Sequence, residues 1–250
     1  MSLSVGSGYG PTYPQSIKLH RSTAQRLGLG KQKAPRAKAA RADNGEHAVD
    51  TELRWLKSYP SDVNWELAYT QEAIPALLDA AVTEFPDNPA IDFLGHKLTY
   101  SELDALVSRA ACGLQKLGVG PGVHVGLYLP NCPHYFIGFL GVLRAGGTVV
   151  NYSPLDAERT LEHKIEDSQT DIMLTLDLEA FYPRMASLMT RTRLRQLVVG
   201  SLVEFCGEVS DEQRHLLGKP AMVAWGDQCC SFAELLDNAG DYREHLLADP

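Results

Sequence analysis

The sequence predicts an α/β protein built on a doubly wound, mostly parallel β-sheet. Helical and strand patterns alternate over residues 74–201, as is typical of parallel sheets whose helices cover both faces. The segment VHVGLYLP, residues 123–130, is almost continuously apolar, as expected of a strand buried between two helical layers. Glycines that favour helix ends, Gly118 and Gly146, follow two of the predicted helices.

The first elements are a helix, a hairpin and a second helix. Apolar residues at helical spacing predict a helix that ends before Pro86, and residues 90–100 read as two short strands joined by a Gly95–His96 turn. Thr99 and Glu102 then form a capping-box signature, in which each side chain satisfies a free backbone N–H at a helix start. The apolar stripe of that helix is Leu103, Leu106, Val107, Ala110, Ala111, Leu114 and Leu117.

The remaining elements continue the alternation of strand and helix. After the apolar strand, the predicted elements are a helix capped by Asn131, a strand at 148–152, a helix over Glu158–Asp167, a strand at 171–177, a helix over Leu178–Thr190 and a strand at 196–201. Residues 219–239 predict one short strand and one helix. We detect no internal repeat.

Charge is distributed unevenly along the chain. The formal net charge is −8, and residues 1–42 carry eight Lys or Arg with no Asp or Glu. Removing that +8 from −8 leaves −16 for residues 43–250. An acidic body does not favour nucleic acid, so we expect no nucleic-acid partner.

Composition also predicts the domain organisation. Residues 1–50 have few large apolar side chains and are predicted to be a disordered basic tail. Residues 51–250 are predicted to hold a partial α/β domain, best defined over 70–201. The longest apolar run, FIGFLGVL at 136–143, is far shorter than the about 20 residues of a membrane span, so we expect no transmembrane segment.

The five cysteines show neither a CxxC spacing nor a pairing pattern. This usage favours a reducing, cytoplasmic setting. The adjacent Cys229 and Cys230 leave a redox-active pair open as an alternative.

Two glycine clusters are candidate phosphate loops, namely Gly118, Gly120 and Gly122, and the pair Gly146 and Gly147. Phosphate-binding glycines follow a strand and open a helix, because the free N–H groups of a helix N-terminus bind the anion. Both clusters here follow a predicted helix and precede a strand. We therefore interpret them as turns.

Other candidate chemistry is equally unsupported by the residues alone. No GxSxG elbow accompanies the Ser, His and Asp residues. His163 lies among carboxylates and could be a metal ligand, but a solvated charged helix face is favoured. His124 and His134 are interpreted as structural histidines. We assign no catalytic, cofactor-binding or metal-binding residue.

Three stretches nevertheless resemble the N-terminal part of AMP-forming acyl-CoA ligases, the acyl-adenylating superfamily. They are residues 98–131, which include LTYSEL and GVGPG, residues 138–155, GFLGVLRAGGTVVNYSPL, and residues 151–168, NYSPLDAERTLEHKIEDS. The third stretch is similar to long- and medium-chain fatty acyl-CoA ligases. The resemblance extends from about Asp62 to Ser201.

The chain also departs from the pattern of that family. Asp156 stands where an aromatic residue is usual, His134 where an acidic residue is usual, and His124 where aspartate is usual, which leaves the acyl substrate open. The family's Ser/Thr/Gly-rich ATP loop ending in Pro-Lys-Gly does not occur in these 250 residues. Its later acidic metal ligand, ribose-binding aspartate and C-terminal lysine motifs are missing too.

The resemblance therefore implies the N-terminal portion of an ATP-dependent, AMP-forming fatty acyl-CoA ligase, truncated before the ATP loop. A full-length relative would convert a carboxylic acid, ATP and CoA to acyl-CoA, AMP and pyrophosphate, with Mg. We expect this chain to be inactive alone and to hold none of ATP, Mg or CoA by itself.

The resemblance also bears on partners. We expect a fatty acid or other carboxylic acid as the substrate of the complete enzyme, and association with a missing C-terminal portion or self-association. The expected location is cytoplasmic, with peripheral membrane association left open. The alternatives are a non-catalytic interaction module that docks on a separately encoded partner, and an independent α/β enzyme with an unrecognised site.

Overall fold

The computed structural model describes residues 58–60, 72–208, 210 and 217–244. The predicted tail at 1–50 lies outside the described residues. The helices and strands named below all belong to the unit Ala68–Pro250. The helices are α1 Ile74–Glu84, α2 Tyr100–Lys116, α3 Pro133–Arg144, α4 Glu158–Asp167, α5 Tyr182–Met189 and α6 Phe232–Leu236, with a 3₁₀ turn at Leu202–Phe205. The strands are β1 Pro89–Phe93, β2 His96–Thr99, β3 His124–Leu127, β4 Thr148–Asn151, β5 Thr170–Leu176, β6 Gln196–Gly200 and β7 Cys229–Ser231.

The five later strands form one parallel sheet in the order β4-β3-β5-β6-β7. Helices cover both of its faces, so the prediction of a doubly wound parallel sheet is confirmed. Side chains alternate between the two apolar cores along β5, where Ile172 and Leu174 face one core and Met173 faces the other. The first core lies under α2, α3 and α6, and the second lies under α4 and α5.

The hairpin and the capping box form as predicted, with one correction. β1 and β2 pair antiparallel, but the turn is Leu94–Gly95 and not Gly95–His96. Both turn residues have positive φ, 48° and 81°, because the tight turns that suit twisted strands need the left-handed region. At the start of α2, Thr99 accepts from the backbone N–H of Glu102, and the Glu102 carboxylate accepts from the N–H of Thr99.

The starts of two later helices differ from prediction. The N-cap of α3 is Cys132, not Asn131, since Pro133 at the first helical position fixes the entry of the chain. The predicted helix at Leu178–Thr190 was too long at its start, because α5 begins at Tyr182. The preceding residues instead form a turn in which Leu178 pairs with Pro220.

A close approach between α2 and α3 depends on glycine. A Cβ atom added at Gly141 would lie 2.8 Å from the Cβ of Ala110, which is inside van der Waals contact. These two small residues let the helices pack at short range over the sheet. No helix of the described residues is long and apolar enough to cross a membrane.

Candidate functional site at the carboxyl edge of the sheet

The strand order creates a topological switch point between β3 and β5. These strands are neighbours in the sheet but are not consecutive in the chain. Between them the chain passes through α3, β4 and α4, and β4 pairs with the other edge of β3. Since α3, which follows β3, covers one face and α5, which follows β5, covers the other, the connections diverge at the carboxyl ends of β3 and β5. Open α/β sheets bind ligands at such a point.

Arg184, in the first turn of α5, is one of the charged residues placed there. Its Nη1 donates to the hydroxyl of Tyr128 at 2.9 Å, to the carbonyl of Asp156 at 3.3 Å and to the carbonyl of Pro154 at 3.4 Å. All three acceptors are uncharged. Within the described residues, its Nη2 and Nε have no hydrogen-bond partner and no carboxylate lies within ion-pair distance.

The nearest acidic side chain of this loop has another partner. The Asp156 carboxylate accepts from Nζ of Lys164 at 2.6 Å, so Asp156 offers Arg184 only its backbone oxygen. The group formed by Arg184, Lys164 and Asp156 therefore keeps an excess of positive charge. Asp156 thus acts in orienting the loop between β4 and α4.

Tyr128 directly follows β3 and is fully buried. Burial raises the pKa of its hydroxyl, and the neighbouring Arg184 guanidinium opposes that shift. The hydroxyl is therefore protonated at neutral pH, and its ring lies 5.4 Å from that of Phe181. Tyr128 is suited to fixing the guanidinium and not to acting as a base.

A second polar contact at this edge joins β6 to α3. His134 is 1% exposed, and its Nε2 lies 2.8 Å from Oε2 of Glu204 in the 3₁₀ turn. Its ring contacts Phe205 and Phe232 edge-on at 4.8 Å, while its Nδ1 has no partner. Because a buried N–H without an acceptor costs about 1–3 kcal/mol, the favoured tautomer carries its hydrogen on Nε2.

The glycine clusters lie at the opposite, amino edge of the sheet. Gly118 and Gly146 have φ of 88° and 85° and follow the ends of α2 and α3. Each precedes a strand, so the carbonyl end of a helix faces the turn and repels phosphate. The interpretation of these glycines as turns is confirmed.

The other two histidines have ordinary surroundings. His124 Nδ1 lies 2.5 Å from the carbonyl of Ser168, consistent with a structural role. His163 is exposed on α4, whose Glu162 pairs with Arg191. Throughout the residues that the structure describes, no group of three His, Cys, Asp or Glu side chains could hold a metal ion.

The adjacent cysteines do not have the electrostatics of a reactive pair. Burial raises the pKa of Cys229 to about 11 and raises that of Cys230 as well. Reactive cysteines have lowered pKa values. The redox-active alternative therefore has no support from the geometry.

A pocket of 380 Å³ opens beside the loop before β7. Its lining consists of Ala224, Gly226, Asp227, Gln228 and Cys229. Asp227 makes this pocket acidic, so it is unsuited to a phosphate or carboxylate. The switch point therefore remains the better candidate for an anionic ligand.

A parallel sheet with helices on both faces defines a doubly wound α/β fold. The sequence model of the AMP-binding enzyme family matches residues 78–240 of this chain. The match covers more than half of the chain, and the chain therefore belongs to the AMP-binding enzyme family.

The similar proteins are mostly much longer. A long-chain-fatty-acid–CoA ligase of Bacillus subtilis is 35% identical over 157 residues, which are 63% of this chain and 28% of that protein. The corresponding ligase of Salmonella typhimurium is 37% identical over 116 residues, or 46% of this chain and 21% of its own length. This chain spans about a quarter of the length of these relatives.

Solved structures support the fold. A long-chain-fatty-acid-CoA ligase (FadD1) from Archaeoglobus fulgidus superposes with a TM-score of 0.55 at 22% identity, covering 72% of this chain and 33% of that one. At this identity the likeness shows the fold alone. It confirms the fold class expected from the resemblance.

Sequence reasoning missed Arg184 and Glu204. The predicted helix began at Leu178, which places Arg184 in mid-helix and not in its first turn. A proline favours the first turn of a helix, so Pro183 was a signal for the true start. A cation in that turn opposes the helix dipole, and this conflict could have marked Arg184.

Proposed function

We propose that this chain forms the N-terminal part of an AMP-forming fatty acyl-CoA ligase. The observations that carry the proposal are the 35% identity to a long-chain-fatty-acid–CoA ligase over 157 residues and the motifs that this sequence holds at residues 98–168. The complete enzyme would join a fatty acid to CoA with ATP and Mg, releasing AMP and pyrophosphate. The domain limits, a partial domain after residue 50, remain a prediction.

The described residues do not form a complete site for ATP and Mg. Acyl-AMP formation concentrates negative charge on phosphate, which requires several cations and a metal held by acidic ligands. The described residues offer Arg184 at the switch point, and no acidic cluster converges within them. We therefore derive no catalytic step from these residues.

We further propose that the chain is inactive alone and acts with the segments that carry the missing motifs. The expected C-terminal portion would supply those motifs, whereas self-association stays a separate proposal because a second copy of this chain lacks them too. A cytoplasmic location remains a proposal, supported by the five cysteines, which show neither a CxxC spacing nor a pairing pattern. No observation favours the stand-alone interaction module.

Pyrophosphate–ATP exchange tests this proposal. The purified chain, with medium- and long-chain fatty acids and Mg, is expected to show only background exchange. A complete long-chain-fatty-acid–CoA ligase serves as the positive control. Saturable, fatty-acid-dependent exchange by the chain alone would contradict the proposal that it is inactive alone. Exchange that appears only when the segments with the missing motifs are added would support the proposal that the chain acts together with them.

A further inference from the structure

We propose that Arg184 binds a small-molecule oxyanion, a phosphate or a carboxylate group, at the carboxyl edge of β3 and β5. The inference goes beyond the proposed ligase reaction, because it depends on the contacts of one guanidinium and not on acyl-AMP formation. A site of this kind would hold an anionic substrate group without transferring it.

The charge environment of Arg184 differs from that of three other arginines in the described chain. Arg144, Arg191 and Arg193 each contact at least one carboxylate. Arg184 contacts a hydroxyl and two carbonyls instead, all uncharged. A half-buried cation with neutral partners loses hydration without gaining a counter-charge, so an anion completes its surroundings.

The geometry leaves the edge of the Arg184 guanidinium that carries Nη2 and Nε without a protein partner in the described structure. The three acceptors all use Nη1, which anchors the group against Tyr128 and the loop at 154–156. The atoms Nη2 and Nε of Arg184 have no partner among the described residues and are not among the buried unpartnered atoms. They are therefore not fully buried. A guanidinium edge with two donors matches two oxygens of a carboxylate or phosphate.

The neighbouring charges do not cancel this preference. Asp156 is neutralised by Lys164 at 2.6 Å. Glu158 and Glu162 of α4 both pair with Arg191, which follows α5. None of these three carboxylates lies within ion-pair distance of Arg184, so none of them is its counter-charge in the described structure.

Calorimetric titration of the purified chain tests the proposal with three probes: inorganic phosphate, pyrophosphate and octanoate. We expect saturable binding of at least one probe, weakened about tenfold by Arg184→Gln, because a charge-assisted bidentate contact is lost. The matched control is Arg191→Gln, which removes the same charge from a carboxylate-paired arginine and is expected to leave affinity within about twofold. Binding of octanoate alone would identify a carboxylate source, and binding of phosphate or pyrophosphate would identify a phosphate source.

Two results would overturn the proposal. The first is no saturable binding of any probe by the parent chain up to about 1 mM. The second is an equal loss of probe affinity in Arg184→Gln and Arg191→Gln, which would indicate that the probes respond to the overall charge of the protein and not to Arg184. Circular dichroism checks that each variant folds. If Arg184→Gln does not fold, Arg184→Lys takes its place. That variant must still weaken binding several-fold, because it keeps the positive charge but loses the two-donor edge of the guanidinium. Neither result depends on the exchange assay, so failure of this site is distinguishable from failure of the proposed ligase function.

Discussion

Arg144 and Arg184 show two ways in which this fold holds a positive charge. Arg144, at the end of α3, has a side chain that is 5% exposed and pairs with Asp79 at 2.5 Å and Asp104 at 2.6 Å. It also donates to Ser108 and lies 5.9 Å from the ring of Tyr242. Arg184 instead contacts neutral oxygens at the edge of the sheet.

This difference in partners distinguishes an arginine that stabilises the fold from one that is available to a ligand. Burial lowers the pKa of Arg144, but the hydrogen bond and charge of Asp104 and the charge of Asp79 outweigh it, so the net shift is upward. Arg144 thereby joins α1, α2 and α3, and its Nε, which has no partner, is buried and out of reach of a ligand. A cation whose charge is compensated inside the fold contributes stability, whereas one left with neutral partners is available for binding.

The largest effect on the scaffold region is expected from Gly141→Val. The added side chain would meet Ala110, whose Cβ lies 2.8 Å from a Cβ at this position, and would force α2 and α3 apart. We expect the free energy of unfolding to fall by about 3 kcal/mol, measured by urea denaturation. The control is Gly120→Ala, because no atom lies within 4 Å of a Cβ added at Gly120. If Gly141→Val lowers the free energy of unfolding no more than this control does, the two helices are not closely packed.

Alkaline pH should also lower stability. Burial raises the pKa of Cys132 to about 11, whereas the same thiol ionises near 9.0 when unfolded. Between these values the unfolded state releases a proton that the folded state keeps, so the free energy of unfolding falls as pH rises, by about 2 kcal/mol. Urea midpoints from pH 8 to about 11 measure the slope, and an unchanged slope in Cys132→Ala would refute this origin.

The carboxyl edge should respond to Glu204→Ala. The substitution removes the acceptor of the buried His134 N–H, which we expect to cost about 1–2 kcal/mol of stability. Glu208→Ala, at an exposed position four residues on, is the matched control. Equal effects of the two substitutions in thermal unfolding would show that the His134 contact contributes nothing.

The smallest effect concerns the capping box. Thr99→Ala removes the side-chain acceptor for the N–H of Glu102 and should cost about 1 kcal/mol. Ser101→Ala, in the same turn, controls for helix propensity. If both variants unfold at the same urea concentration, the capping box does not stabilise α2.

The sheet was predictable from sequence because its strands are apolar on both faces and its helices have clear ends. The apolar stripe that follows Thr99 is the face of α2 that packs into the core. Gly118 and Gly146, which follow α2 and α3, have the positive φ of a helix end. Periodicity specifies which face of an element is buried. It therefore located the core correctly.

The candidate site was not predictable, because its contacts join residues far apart in the chain. Arg184 meets Tyr128 across 56 positions, and His134 meets Glu204 across 70. Both contacts depend on where a loop ends and a helix starts. Local patterns define such starts poorly, as the errors at Asn131 and Leu178 illustrate.

Urea denaturation of the paired variants Arg144→Gln and Arg184→Gln tests the separation of scaffold from site most directly. We expect Arg144→Gln to lower the free energy of unfolding by about 2 kcal/mol, because Asp79 and Asp104 lose their cation. Arg184→Gln should lower it by less than about 1 kcal/mol, since only neutral acceptors are released. Equal losses in the two variants would contradict the account and make Arg184 a scaffold residue.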